Sequence, residues 1–126
     1  MRDFAIHLTH RPGELGRVAN ILARAGVNLK TVSALTLNHQ ALLRLIPDDV
    51  DTTRHALQES NIRFEENEVA TVLLQNQAGE LAGMADKLAN AGVNIHAIYV
   101  TGLAGDMVEL AIVADDPKKA KKLLAE

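Results

Sequence analysis

Residues 13–28 read GELGRVANILARAGVN, and residues 79–94 read GELAGMADKLANAGVN. At a constant offset of 66, ten of these sixteen positions are identical, so the chain is an internal duplication. In the first copy Leu15, Val18, Ala19, Leu22 and Ala25 follow the i, i+3, i+4, i+7, i+10 spacing of one apolar helix face. Leu81, Met84, Ala85, Leu88 and Ala91 repeat that spacing in the second. Gly26 and Gly92 stand where a left-handed cap would end each helix.

The match extends outward from this helix. Before it, DFAIHLT (3–9) aligns with VATVLLQ (69–75), both short, apolar and strand-like. After it, LKTVSALTL (29–37) aligns with IHAIYVTGL (95–103), and ALLRLIPDD (41–49) aligns with VELAIVADD (108–116) after one extra residue. Asn38-His39-Gln40 and Ala104-Gly105-Asp106 read as hairpin turns between these strands. TTRHALQE (52–59) and KAKKLLAE (119–126) close the repeats as helices. Asp116-Pro117 supplies an N-cap and first-turn pair for the last helix.

Each repeat is therefore β-α-β-β-α, and Ile62–Glu66 adds a last strand to the first copy only. The fold expected is α+β: two tandem ferredoxin-like βαββαβ units, residues 1–67 and 68–126, the second lacking its last strand. Each would have an antiparallel sheet with its helices on one face. The unpaired edge of the second unit should be covered by the other repeat or by another subunit. A module of about 60 residues buries only ~60% of its unfolded surface, which also favours association and a homodimer.

Composition narrows the function. The formal net charge is −3, and residues 1–66 carry eight basic and eight acidic residues against five and eight in 67–126. That balance lacks the basic footprint of a nucleic-acid binder. The run Lys118, Lys119, Lys121, Lys122 reads as a solvated helix face near a C-terminus. With no cysteine, thiol nucleophiles and thiolate metal sites are excluded. The only aromatics are Phe4, Phe64 and Tyr99, too few for the base-stacking sheet of an RNA-binding ferredoxin-like module. No signal peptide or apolar run of about 18–20 residues is present, so a cytoplasmic protein without membrane contact is expected.

The chemistry-bearing segment is the strand-to-helix turn, HRPGEL (10–15) and NQAGEL (76–81). A helix start carries backbone N–H groups with no intrahelical acceptor, and the helix dipole makes them attractive to a carboxylate or phosphate. Gly13 and Gly79 would let a ligand approach that backbone. His10, Asn76, Asn28 and Asn94 offer hydrogen-bonding side chains nearby. Glycine at a helix start and Asn after a glycine cap also occur for local turn reasons alone, so the residues leave both readings open.

HRPGELGRVANILARAGVNL resembles the signature of the ACT domain family, a strand ending in a D/N-R-P-G-x-L-like turn before a helix that closes in A-G-I/V-N-I/L. NQAGELAGMADKLANAGVNI is similar as a weaker second copy, so the resemblance covers nearly the whole chain as two tandem ACT-like units. It implies a ferredoxin-like regulatory module that binds a small amino acid or related metabolite where units meet and signals to a partner enzyme or regulator. It implies ligand-binding roles for His10, Arg11, Gly13, Glu14, Leu15 and Asn28 in the first unit. In the second it implies Asn76, Gly79, Glu80, Leu81 and Asn94. His10 stands where Asp or Asn is more usual and Ala78 replaces the turn proline, so the two sites are expected to differ.

An enzyme is the weaker expectation, and no cofactor or metal is expected. The five histidines (7, 10, 39, 55, 96) have no metal-ligand spacing, and neither nucleotide-binding glycine motif occurs. Ser33 and Ser60 lack a nucleophile-elbow pattern. Asp48-Asp49 and Asp115-Asp116 precede helices and read as caps rather than acid–base pairs. A ligand-free dimerisation or interaction module shares every fold-level feature with the binding reading and remains the alternative.

Overall fold

The alternating and helical apolar patterns resolve into eleven elements in the computed structural model, which describes residues 1–125. They are β1 (Arg2–Thr9), α1 (Glu14–Arg24), β2 (Leu29–Leu37), β3 (Gln40–Pro47), α2 (Val50–Glu59), β4 (Phe64–Glu68), β5 (Ala70–Gln75), α3 (Glu80–Asn90), β6 (Ile95–Ala104), β7 (Met107–Ala114) and α4 (Pro117–Leu124). The chain forms two compact units, Arg2–Asn67 and the segment from Glu68 onward together with Met1.

In the first unit the sheet order is β2-β3-β1-β4, with β1 and β2 each antiparallel to β3. Period-two alternation sends Phe4, Ile6 and Leu8 of β1, opposite Leu45, Leu43 and Ala41 of β3, to one face. There they bury Val18 and Leu22 of α1 and Leu57 of α2 in one aliphatic core. In the second unit the sheet is three-stranded, β5-β7-β6, with both pairings antiparallel. Ala70, Leu110 and Ile112 pack there against Met84 and Leu88 of α3 and Ala120 of α4. The fold is thus the α+β, ferredoxin-like duplication expected, with a fourth strand in the first sheet only.

The local punctuation has identifiable causes. Gly26 and Gly92 adopt φ of 78° and 76°. The N–H of Val27 donates to the Leu22 carbonyl at 3.0 Å and that of Val93 to the Leu88 carbonyl at 2.9 Å, while Gly26 and Gly92 donate to Ala23 and Ala89. Both helices therefore end in the same Schellman motif. The β2–β3 and β6–β7 connections are two-residue turns with Asn38 and Gly105 at φ 59°.

Three details depart from the sequence expectation. First, the apolar stripe of α1 is narrower than its spacing suggests: Val18 and Leu22 are buried, but Leu15 is 52% exposed, and Leu81 of α3 is 55% exposed. Counting 100° per residue, Leu15 lies on the flank of the face centred near Val18, and Glu14 takes the buried place. Second, only the later aspartate of each pair caps a helix. Asp49 accepts from the Thr52 N–H at 3.0 Å and Asp116 from the Lys119 N–H at 3.1 Å. Asp48 and Asp115 instead accept from the N–H of Asn28 and Asn94, each at 3.0 Å, and donate their own N–H to the Asn28 and Asn94 carbonyls. A reciprocal clasp thus pins the start of β2 to the end of β3, and that of β6 to the end of β7. Third, two boundaries move: α2 begins at Val50, two residues before the apolar pattern suggested, and β4 spans Phe64–Glu68, two residues later than the Ile62–Glu66 expected.

The four lysines of α4 are exposed, as a solvated face requires, and Lys121 reaches Glu68 at 3.4 Å. In the first unit Arg54 of α2 grips Glu66 of β4 with two bonds of 2.7 and 2.8 Å and also holds Asp51 at 2.8 Å. The Arg54 guanidinium keeps the Glu66 carboxyl below its ordinary value of 4.5. Between the lowered and ordinary values the unfolded chain binds more protons than the folded one, so stability falls as pH drops through that window and is fully present above it. Glu66→Gln is expected to flatten that part of the acid limb, measured as chemical denaturation midpoint against pH from 3 to 6 (roughly the range that brackets a carboxylate).

Candidate functional site

The two strand-to-helix turns are built alike. Gly13 and Gly79 are the residues preceding α1 and α3, at φ 89° and 90°, in the left-handed region that disfavours a side chain. A Cβ built on either meets nothing within 4 Å, so backbone conformation rather than crowding requires glycine here. The Glu14 N–H turns back to the Arg11 carbonyl and the Glu80 N–H to the Gln77 carbonyl. No side chain caps α1 or α3, whereas Asp49 and Asp116 cap α2 and α4. Within one chain, two helix starts are closed by a carboxylate and the two duplicated turns are left open to one.

Each turn borders a hollow within its own unit. In the first, about 230 Å³ is lined by Leu8, His10, Arg11, Gly13, Glu14, Leu15, Ala34 and Leu43 among others. In the second, about 340 Å³ is lined by Leu74, Asn76, Gln77, Glu80, Leu81, Val100 and Leu110, with Ile98 and Tyr99 beside them. Leu8 and Leu74, His10 and Asn76, Glu14 and Glu80, Leu15 and Leu81, and Ala34 and Val100 are pairs at the repeat offset of 66. The exposure of Leu15 and Leu81 is thereby explained in place: both form apolar walls of these hollows.

Of the residues singled out from sequence, His10, Arg11, Gly13, Glu14 and Leu15 come together at the first turn, and Asn76, Glu80 and Leu81 at the second, with Gly79 at its helix start. Asn28 and Asn94 do not join them. They stand beyond the C-terminal ends of α1 and α3, eleven-residue helices whose length of roughly 16 Å separates them from the turn of the same unit. Both Asn residues are exposed, and their backbone is fixed by the aspartate clasps.

The electrostatics of the two turns differ. Glu14 has only a tenth of its side chain exposed and pairs with Arg17 at 2.8 Å and Arg11 at 3.2 Å. The hydrogen bond from Arg17, with Arg11 beside it, holds the Glu14 carboxyl below its usual range. At the second turn the aligned positions are Gln77 and Gly83, so no guanidinium accompanies Glu80. Arg17 was not among the residues singled out, although its i+3 spacing from Glu14 on a helix is the signal that finds it. The apolar wall residues Leu8, Ala34, Leu74 and Val100 were legible only as core strands.

A family model described as "ACT domain pair" matches residues 1–126. The chain belongs to this family. Among solved structures, the ACT pair is similar to protein BT0572 from Bacteroides thetaiotaomicron, at 23% identity and a TM-score of 0.86 over 98% of this chain and 85% of that one. It is also similar to the ligand-free regulatory subunit of aspartate kinase from Thermus thermophilus, at 18% identity, a TM-score of 0.66, and 98% and 89% coverage. The aspartokinase alpha and beta subunits align at 17% identity and a TM-score of 0.69, over 98% and 88%. These likenesses concern the fold. A search among curated proteins finds no match. No described helix is long and apolar enough to cross a membrane.

Proposed function

We propose that this ACT pair is a non-enzymatic regulatory module that binds a small amino acid or related metabolite at its two strand-to-helix turns. The observation that carries this is the matched pair of uncapped glycine turns, each beside an apolar hollow. Backbone amides at a helix start suit a carboxylate, and the aliphatic walls suit a short side chain. The similarity of the fold to regulatory subunits of aspartate kinase supports a role in control rather than chemistry.

The distance of Asn28 and Asn94 from the turn of their own unit adds an oligomeric requirement. A ligand held by both a turn and such an asparagine needs a second ACT unit to bring the asparagine across. We assign that unit to another copy of the chain, which makes the working form a homodimer, with residues 1–67 and 68–126 as its ACT units. Binding would favour one arrangement of units over another, and a partner enzyme or regulator would sense the shift.

A thermal-unfolding screen with the twenty amino acids tests this. A ligand at a hundredfold excess over its Kd is expected to add about 2.7 kcal/mol of stability. Asn28→Ala and Asn94→Ala are expected to weaken that effect without changing the unliganded transition. If no amino acid moves the transition and the protein still sediments as a dimer, the ACT pair is a ligand-free interaction module instead.

A further inference from the structure

The two turns carry opposite charge, and this decides what each can hold. At the first, the Glu14 carboxylate is buried and already matched by Arg17 and Arg11, leaving one positive charge in excess. At the second, Gln77 and Gly83 replace both arginines, and half-buried Glu80 forms no ion pair among the described residues. Glu80 also sits at the rim of the larger hollow, with Leu74, Ile98 and Val100 as apolar walls and the Asn76 amide beside it. Lys87, the basic residue nearest on α3, lines the adjoining hollow with Glu80.

Resting on the ligand-binding reading above, we infer that the second turn selects a ligand carrying a protonated amine on an aliphatic chain, with Glu80 as its specificity-determining residue. The first turn takes an anionic or neutral group in its place. A carboxylate beside an apolar wall pairs with an alkylammonium while its methylenes lie on that wall. Glu14 does not attract an ammonium in the same way, because its charge is already neutralised by the two guanidiniums.

The test uses n-butylammonium chloride and sodium butyrate as separate probes, followed by ¹H–¹⁵N spectra of the full chain. Butylammonium is expected to shift the amides of residues 76–81 and to leave 10–15 unmoved; butyrate, which suits the open amides of both helix starts, is expected to shift 10–15 more than 76–81. Glu80→Gln should weaken butylammonium binding by about fivefold, the upper end of the range for a partly exposed ion pair. Gly83→Arg is the second variant. It places a guanidinium at the i+3 position that Arg17 occupies relative to Glu14, its Cβ meets nothing within 4 Å, and it removes a glycine from a helix interior. It should abolish butylammonium binding while the rest of the spectrum is retained. Butylammonium shifts of equal size at both turns, or unchanged affinity in either variant, would overturn the charge assignment and leave the turns as ligand sites. No shift at either turn with either probe would overturn both readings.

Discussion

Arg44→Ala is expected to destabilise the first ACT unit by about 3 kcal/mol, near the lower end of what removing one partner of a buried ion pair costs. Arg44 donates from its guanidinium to Asp3 at 2.8 Å, and Asp3 is fully buried on β1 while the arginine side chain is 18% exposed. Asn67 donates a second bond to the same oxygen at 3.1 Å, which supplies a dipole but no charge. Without the arginine the buried carboxylate loses the guanidinium that neutralises it, and the desolvation cost of that charge falls on the folded state. The duplication shows the alternative solution. The positions aligned with Asp3 and Arg44 are Val69 and Ala111, both buried, so the second unit carries an apolar pair where the first carries an ionic one. The double variant Asp3→Val with Arg44→Ala should therefore recover most of the loss, since well-packed apolar replacement of a buried pair is often neutral or stabilising. Urea unfolding of the two single variants and the double one measures this. Equal stability of Arg44→Ala and the original chain would mean the pair is solvated.

Phe4→Ala is expected to cost about 3–5 kcal/mol, as for other fully buried aromatic truncations. Phe4 has no exposed surface, faces Leu45 across the β1–β3 ladder and lies with its ring centroid 5.6 Å from that of Phe64. The aligned residue in the second unit is Ala70, equally buried, which gives the impression that alanine is tolerated there. The second core differs around it: Met84, a longer side chain, stands where the first has Val18, in the same cluster as Ala70. The first core has the shorter Val18 at that place, so truncation of Phe4 is expected to leave a cavity. Because the loss falls in one unit, amide exchange should accelerate in residues 2–67 and change little in 70–125. A uniform acceleration across both would show that the two units unfold as one.

The duplication, the alternating strands and the glycine helix ends were legible because each rests on local spacing or on backbone conformation that few residues adopt. What was not legible depended on partners distant in sequence. Leu15 and Leu81 satisfy the helical spacing, yet the sheet covers only the centre of that stripe and leaves them as walls of the hollows. Asp48 and Asp115 look like helix caps because a capping position follows immediately; their bonds to Asn28 and Asn94, 20 and 21 residues earlier, are set by the strand pairing. The motif groups Asn28 with the turn, although helix length alone places it at the opposite end of α1. The charge difference between the turns was within reach, since Arg17 against Gly83 can be read directly from the aligned repeats.

The central claim is that the duplicated turns are the ligand sites of this ACT pair. It is tested most directly by hydrogen–deuterium exchange with and without the amino acid that gives the largest thermal shift. Protection concentrated in the peptides spanning residues 10–17 and 76–83 is the predicted result. Protection confined elsewhere, such as around the hollow formed by His7, Leu35, Leu37 and Leu42, with both turns exchanging at unchanged rates, would contradict it.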